Sequence, residues 1–167
     1  MSYDLHTYRA VGPRPSVEEA EAHLEREEAE AEEPARILDE AARAQRAALA
    51  EAIAHHDPHL TVQRIGEDAF EFDTNDDRCA VQLVLGADGA SITVPYWYDA
   101  AQAEAVFARV LGYLRVLGEA GNHHVYDPQT GVAFDPRTVE RFDVEVYLQG
   151  VGHTAALTRK KPWWRFW

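Results

Sequence analysis

Five histidines fall in two short clusters that invite comparison with a metal site. His55, His56 and His59 stand in the stretch HHDPH, and His123 and His124 stand in NHHVYD. Neutral imidazoles ligate zinc, and a helix presents two of them on one face when they lie one turn apart, with a third ligand supplied from elsewhere. Neither cluster has that arrangement, since each falls where a helix is expected to end, the first just before Pro58. Histidines in the last turn of a helix complement its dipole without any metal, which is the plainer reading of both. A composite site joining the two clusters, in a metal-dependent or otherwise unrecognised enzyme, is the catalytic alternative. The expectation adopted here is no cofactor and no metal.

Other constellations point away from catalysis. Asp73, Asn75 and Asp77 alternate as in a calcium loop, but Arg78 stands where an EF-hand needs glycine and Val84 where it needs glutamate. The serines are Ser2, Ser16 and Ser91, none in a G-x-S-x-G elbow. Cys79 is the only cysteine; it lies in the apolar stretch DRCAVQLVL and reads as an inert, buried thiol in a reducing compartment. Glycine loops of the G-x-G-x-x-G or G-x-x-x-x-G-K type, which cradle phosphates, are absent from the sequence. Acid pairs such as Glu71 and Asp73 could do acid–base work only if the fold brought them to a substrate.

Aromatic residues suggest recognition instead. In VPYWYDA, Tyr96, Trp97 and Tyr98 are consecutive, so on a strand Trp97 points opposite to its neighbours and needs a cover or a partner. Tyrosine and tryptophan are enriched at binding hot spots, which makes Trp97 and Tyr98 candidate anchors. The chain closes on RKKPWWRFW, with four cations and no acid. Its aromatics Trp163, Trp164, Phe166 and Trp167 could staple onto the protein's own surface, dock on a partner, or sit at a lipid interface. The staple is expected, because an acidic body is repelled by anionic lipid.

That body is strongly acidic. The formal charge is −13, and the last nine residues carry +4, so residues 1–158 carry −17. Nucleic-acid affinity comes mainly from cations that displace counterions, so nucleic acid is disfavoured as a partner. A basic protein surface would be attracted and its encounter accelerated, with Glu71, Asp73, Asp76 and Asp77 as candidate steering acids. The N-terminal stretch MSYDLHTYRAVG has neither a basic n-region nor an apolar core, and no run approaches the ~18 apolar residues of a membrane span. A cytoplasmic protein is expected.

Periodicity predicts the secondary structure that carries these side chains. YDLHTYRA suits a first strand, with Leu5 and Thr7 on one side and Tyr8 near its end. Ser16 and Glu19 form a capping box that opens an acidic helical segment over residues 16–56, broken near Pro34. Leu38, Ala42, Gln45, Leu49, Ala52 and Ile53 make the apolar stripe of its second half. From residue 59 to 98 the period is two, and four strands follow as an antiparallel meander turned at GADG. Asp99 and Gln102 cap an amphipathic helix over residues 99–118, closing at Gly118 or Gly121. Two short strands around DPQTG come next, and FDVEVYL alternates like another strand. The sum is one α+β domain over residues 1–167: an antiparallel sheet of five to seven strands, helices packed mainly on one face, an acidic N-terminal helical segment, and a basic aromatic tail at 159–167.

The opening MSYDL, the strand end PYWY and the turn VYDPQTG resemble features of small bacterial proteins, some of them similar to immunity proteins of contact-dependent or secreted toxin systems. The resemblance covers short islands of the chain and brings no functional residues with it. It implies a cytoplasmic, non-catalytic protein that binds and neutralises a cognate toxin. In liposome flotation, the full chain and a chain ending at Thr158 are both expected to stay with the soluble fraction. Flotation of the full chain alone would assign the tail to lipid.

Overall fold

The computed structural model describes residues 2–31, 39–66, 69–74, 76 and 79–158. In chain order the elements are β1 (Ser2–Arg9), α1 (Val17–Ala31), α2 (Glu40–His56), β2 (Thr61–Ile65), β3 (Ala69–Asp73), β4 (Gln82–Leu85), β5 (Gly89–Pro95), α3 (Ala100–Gly121), β6 (His123–Asp127), β7 (Val132–Phe134) and α4 (Glu145–Thr158). The strands form one sheet in the order β2-β3-β4-β5-β1-β6-β7, with every neighbour antiparallel. The α+β architecture and the β2 to β5 meander agree with the sequence reading. The insertion of the first strand between β5 and β6 has no signature in the local pattern.

Register explains the core. Phe72, Leu83, Ile92 and Leu5 stand opposite one another across four successive strands. Because side chains alternate along a strand, these residues share a face with Tyr3, Thr7, Leu85 and Val94. That face is buried beneath α3, whose Ala103, Val106, Phe107, Val110, Leu114 and Leu117 are sealed from solvent. The capping box of α3 is complete: the Gln102 amide donates to Asp99 Oδ1 at 2.9 Å, and the Asp99 amide donates to Gln102 Oε1 at 3.2 Å. The helix runs to Gly121 and ends on Asn122 in the left-handed region, φ 53°. Gly118 lies inside the helix, where an added Cβ would meet the Pro136 ring at 2.8 Å.

Helix α2 lies beside α3 and contributes Leu49, Ala50 and Ile53 to the same core. Its buried polar position is Arg46, whereas Gln45 of the expected stripe is exposed. Leu38 and Pro34 lie outside the described residues. Helix α1 takes the opposite sheet face, where Ala20, Val17 and Leu24 pack on Tyr8, Tyr126 and Ala133.

Two local expectations are corrected. FDVEVYL is a loop followed by the start of α4, because the Asp143 carboxylate caps the Glu145 amide at 3.0 Å and Tyr147 is drawn into an aromatic cluster with Tyr3, Tyr96 and Phe107. At α1 only half the capping box forms. The Glu19 amide donates to Ser16 Oγ at 3.3 Å, but the Ser16 amide donates to the Tyr8 hydroxyl at 3.1 Å, and that hydroxyl donates to the Ser16 carbonyl oxygen at 2.9 Å. A tyrosine on β1 therefore does the job expected of the Glu19 side chain.

Leu114 is fully buried at the centre of this packing. Leu114→Ala is expected to destabilise the fold by about 2–5 kcal/mol, read as a lower urea midpoint at unchanged slope.

Candidate functional site

Half of one sheet face is uncovered. Helix α1 lies over β1, β6 and β7, which leaves the β2-β3-β4-β5 half of that side without a helix among the described residues. The register arranges its side chains in two rows: Thr61, Asp73, Gln82, Thr93 and Asp4, then Gln63, Glu71, Val84, Ser91 and His6. These positions hold three carboxylates and no lysine or arginine. Strands lie 4.7–4.9 Å apart, so Asp73 and Asp4, three strands apart, are separated by about 14 Å.

Neutral donors answer these carboxylates. Asp4 accepts from Thr93 Oγ1 at 2.8 Å and from Ser2 Oγ at 3.0 Å, and Glu71 accepts from the Gln82 amide nitrogen. Burial holds the His6 imidazole below its ordinary pKa, against the pull of Glu27 and Asp4, so it stays neutral near pH 7. Among the described residues, no lysine or arginine pairs with Asp4, Glu71 or Asp73. The glutamates of α1 add to it on the covered half.

Trp97 stands 63% exposed just beyond β5, at the end of the sheet where Ser2 pairs with Pro95. Its outward direction matches the sequence expectation, although a turn produces it: β5 ends at Pro95, and the Trp97 amide closes back on the Pro95 carbonyl at 3.0 Å. Tyr98 is corrected as a candidate anchor. It is 1% exposed, its hydroxyl is tied to the backbone of Ala80, and its amide donates to the Tyr147 hydroxyl at 3.1 Å. Its role is to support Trp97 edge-to-face, with ring centroids 5.9 Å apart.

Of the expected steering acids, Glu71 and Asp73 share the open face, Asp76 is exposed in the β3–β4 loop, and Asp77 lies outside the described residues. The tail residues Trp163, Trp164, Phe166 and Trp167 also lie outside them. Asp4 was missed by sequence reasoning. Its pairing with Thr93 depends on β1 being placed beside β5, which no local pattern reveals.

The histidine clusters stay apart. His55, His56 and His59 are exposed around the end of α2, where the His56 ring packs edge-on against Tyr113. His123 and His124 are buried at the start of β6 and, as successive strand residues, point to opposite sheet faces. Among the described residues, no group of three or more His, Cys, Asp or Glu side chains could hold a metal ion. No helix among them is long and apolar enough to cross a membrane.

The residue between the first histidines has the firmest role. Asp57 caps the C-terminus of α2, where a carboxylate opposes the helix dipole. Its Oδ2 accepts from Arg109 Nε at 2.7 Å, Arg109 Nη2 at 2.6 Å and the Tyr113 hydroxyl at 2.6 Å, while Oδ1 accepts from the His59 amide at 3.1 Å. Burial works to raise the Asp57 pKa, but the hydrogen bonds from Tyr113, Arg109 and His59 outweigh it and hold the carboxyl below its usual range. Burial and the bond to Asp57 push the Tyr113 hydroxyl well above its ordinary value. This is a structural clamp between α2 and α3.

Comparison with family models, with curated proteins and with solved structures finds no match to this chain.

Asp57→Asn is expected to cost about 3 kcal/mol at pH 7, because it leaves Arg109 without its counter-charge. The folded-state pKa of Asp57 lies below its unfolded value of about 3.9, so the contribution is complete above that pH and disappears as pH falls through the folded value. Urea unfolding of both proteins at pH 7 and pH 3 checks this: the gap between them should shrink in acid.

Proposed function

We propose that this protein is a non-catalytic binding protein of the immunity or adaptor type, whose acidic sheet face engages a basic protein partner such as a cognate bacterial toxin. The observation that carries the reading is the pair of side-chain rows with Asp4, Glu71 and Asp73 and no cation. A polar sheet surface whose charged positions share one sign complements a basic surface better than it suits a small substrate. Its field accelerates encounter and disfavours acidic competitors. Trp97 stands at the Asp4–Asp73 end of this face, where an exposed indole can be enclosed by a partner while the carboxylates form a hydrated rim. The net charge of −13 and the short stretches that resemble immunity proteins support the same reading.

The test uses the protein encoded beside this gene as the binding partner. Glu71→Lys combined with Asp73→Lys is expected to slow association by about tenfold or more at low salt and to flatten its dependence on ionic strength. Trp97→Ala is expected to speed dissociation, costing about 2 kcal/mol. Unchanged kinetics in both variants, with unchanged melting temperatures, would remove this face from recognition.

A further inference from the structure

Helix α1 is docked on the sheet by little apolar surface. Ala20 is buried, and Val17 and Leu24 are half-buried against Tyr8, Tyr126 and Ala133. Much of the remaining contact is made by groups that titrate. His124 of β6 is fully buried, its ring edge-on to Tyr8 with centroids 5.9 Å apart, and neither Nδ1 nor Nε2 has a hydrogen-bond partner in the protein. Glu19 of α1, whose charge acts on both Tyr8 and His124, has its Oε2 buried and likewise without a hydrogen-bond partner. One turn further along the helix, His23 is 6% exposed, its ring tilted over Tyr8 at 6.2 Å and its Nε2 3.4 Å from Glu27 Oε1. Gly89 leaves room for that ring, since an added Cβ would stand 2.8 Å from the nitrogen. His6 lies two residues before Tyr8 on the same strand face, within the fields of Glu27 and His23.

A buried imidazole is tolerated as a neutral ring, but its cation needs water or a partner. Around His124 the charged groups are Glu19 from α1 and Asp135 and Arg137 from the segment after β7. Burial opposes the cation most and Arg137 adds to it, while Asp135 and Glu19 favour it; the ring is held below its ordinary pKa. Asp135 is itself engaged by Arg137 at 2.8 and 2.9 Å, so much of its charge is already answered. At His6, burial and His23 prevail over Glu27 and Asp4 in the same direction. Once α1 leaves the sheet, both rings regain water and an ordinary pKa of about 6.5. The released state then takes up protons that the docked state refuses, so docking is complete above about pH 6.5 and weakens as the pH falls below it.

We propose that α1 is an acid-releasable arm: protonation of His124 and His6 frees the helix from β1 and β6 while the core beneath α3 stays folded. Tyr8 joins the parts of the device, because its hydroxyl holds both backbone groups of Ser16 and its ring abuts His124 and His23. His123 is bonded to Thr7 on the other face, so its ionisation bears on the whole fold and not on α1 alone. Release does not depend on what the acidic face binds.

Amide hydrogen exchange of the full chain at pH 7.5 and pH 5.5, compared as protection factors, tests the arm. Opening of α1 is expected to rise in acid by up to about tenfold for each histidine that is neutral when docked and ionises with its ordinary pKa when released, while α3 keeps its protection. His124→Gln should remove part of the rise, and His6→Gln, at a half-buried position, provides a second variant should His124→Gln already open α1 at pH 7.5. In the unaltered protein the imidazole resonances of both histidines should titrate below 6.5, a readout that needs no variant to fold. Equal loss of protection in α1 and α3 would be global acid unfolding and overturns the proposal. So does an α1 whose protection is the same at both pH values, or one whose acid response survives in both variants.

Discussion

Burial of one sheet face beneath α3 is the constraint on which the rest of the molecule depends. Once Leu5, Ile92, Leu83 and Phe72 align across four strands, strand alternation sends Asp4, Thr93, Gln82, Asp73 and their neighbours to the other side. A slip of one residue would exchange the two sets, so the apolar packing of α3 sets the positions of the carboxylates as firmly as it sets the core. Helix α1 has a narrow apolar stripe and covers the part of that second side where Tyr8 and Tyr126 offer something to pack on. The polar remainder carries no helix among the described residues.

Buried polar contacts then lock elements that are distant in sequence. Asp57 joins the end of α2 to Arg109 and Tyr113 on α3. The Tyr3 hydroxyl donates to Asp127, which also accepts the Gln129 amide at 2.9 Å and so holds the β6–β7 turn against the first strand. Tyr8 holds the start of α1 through both backbone groups of Ser16. In each case a group that would be costly to bury alone has a partner from another element, which makes the arrangement specific as well as compact.

The acidic face follows from this framework. The acidic face spans several strands whose side chains are fixed by register, a geometry suited to a macromolecular surface.

Much of the fold was legible because its signals are local. The meander from residue 59, the Asp99–Gln102 cap, the long stripe of α3 and the turn at DPQTG each reside within a few neighbouring residues. Trp97 faces outward as expected, but through the turn after Pro95 and not through strand alternation. Tyr98 was misjudged because only the tertiary packing brings Ala80 and Tyr147 to it, and FDVEVYL was misjudged because alternation over seven residues resembles a strand until Tyr147 finds its aromatic partners. Placement of β1 between β5 and β6 decided that Asp4 joins Asp73 across the sheet. Local sequence sets the period and ends of each element, but contacts between residues tens of positions apart are set by which apolar faces bury each other, and that is a property of the assembled chain.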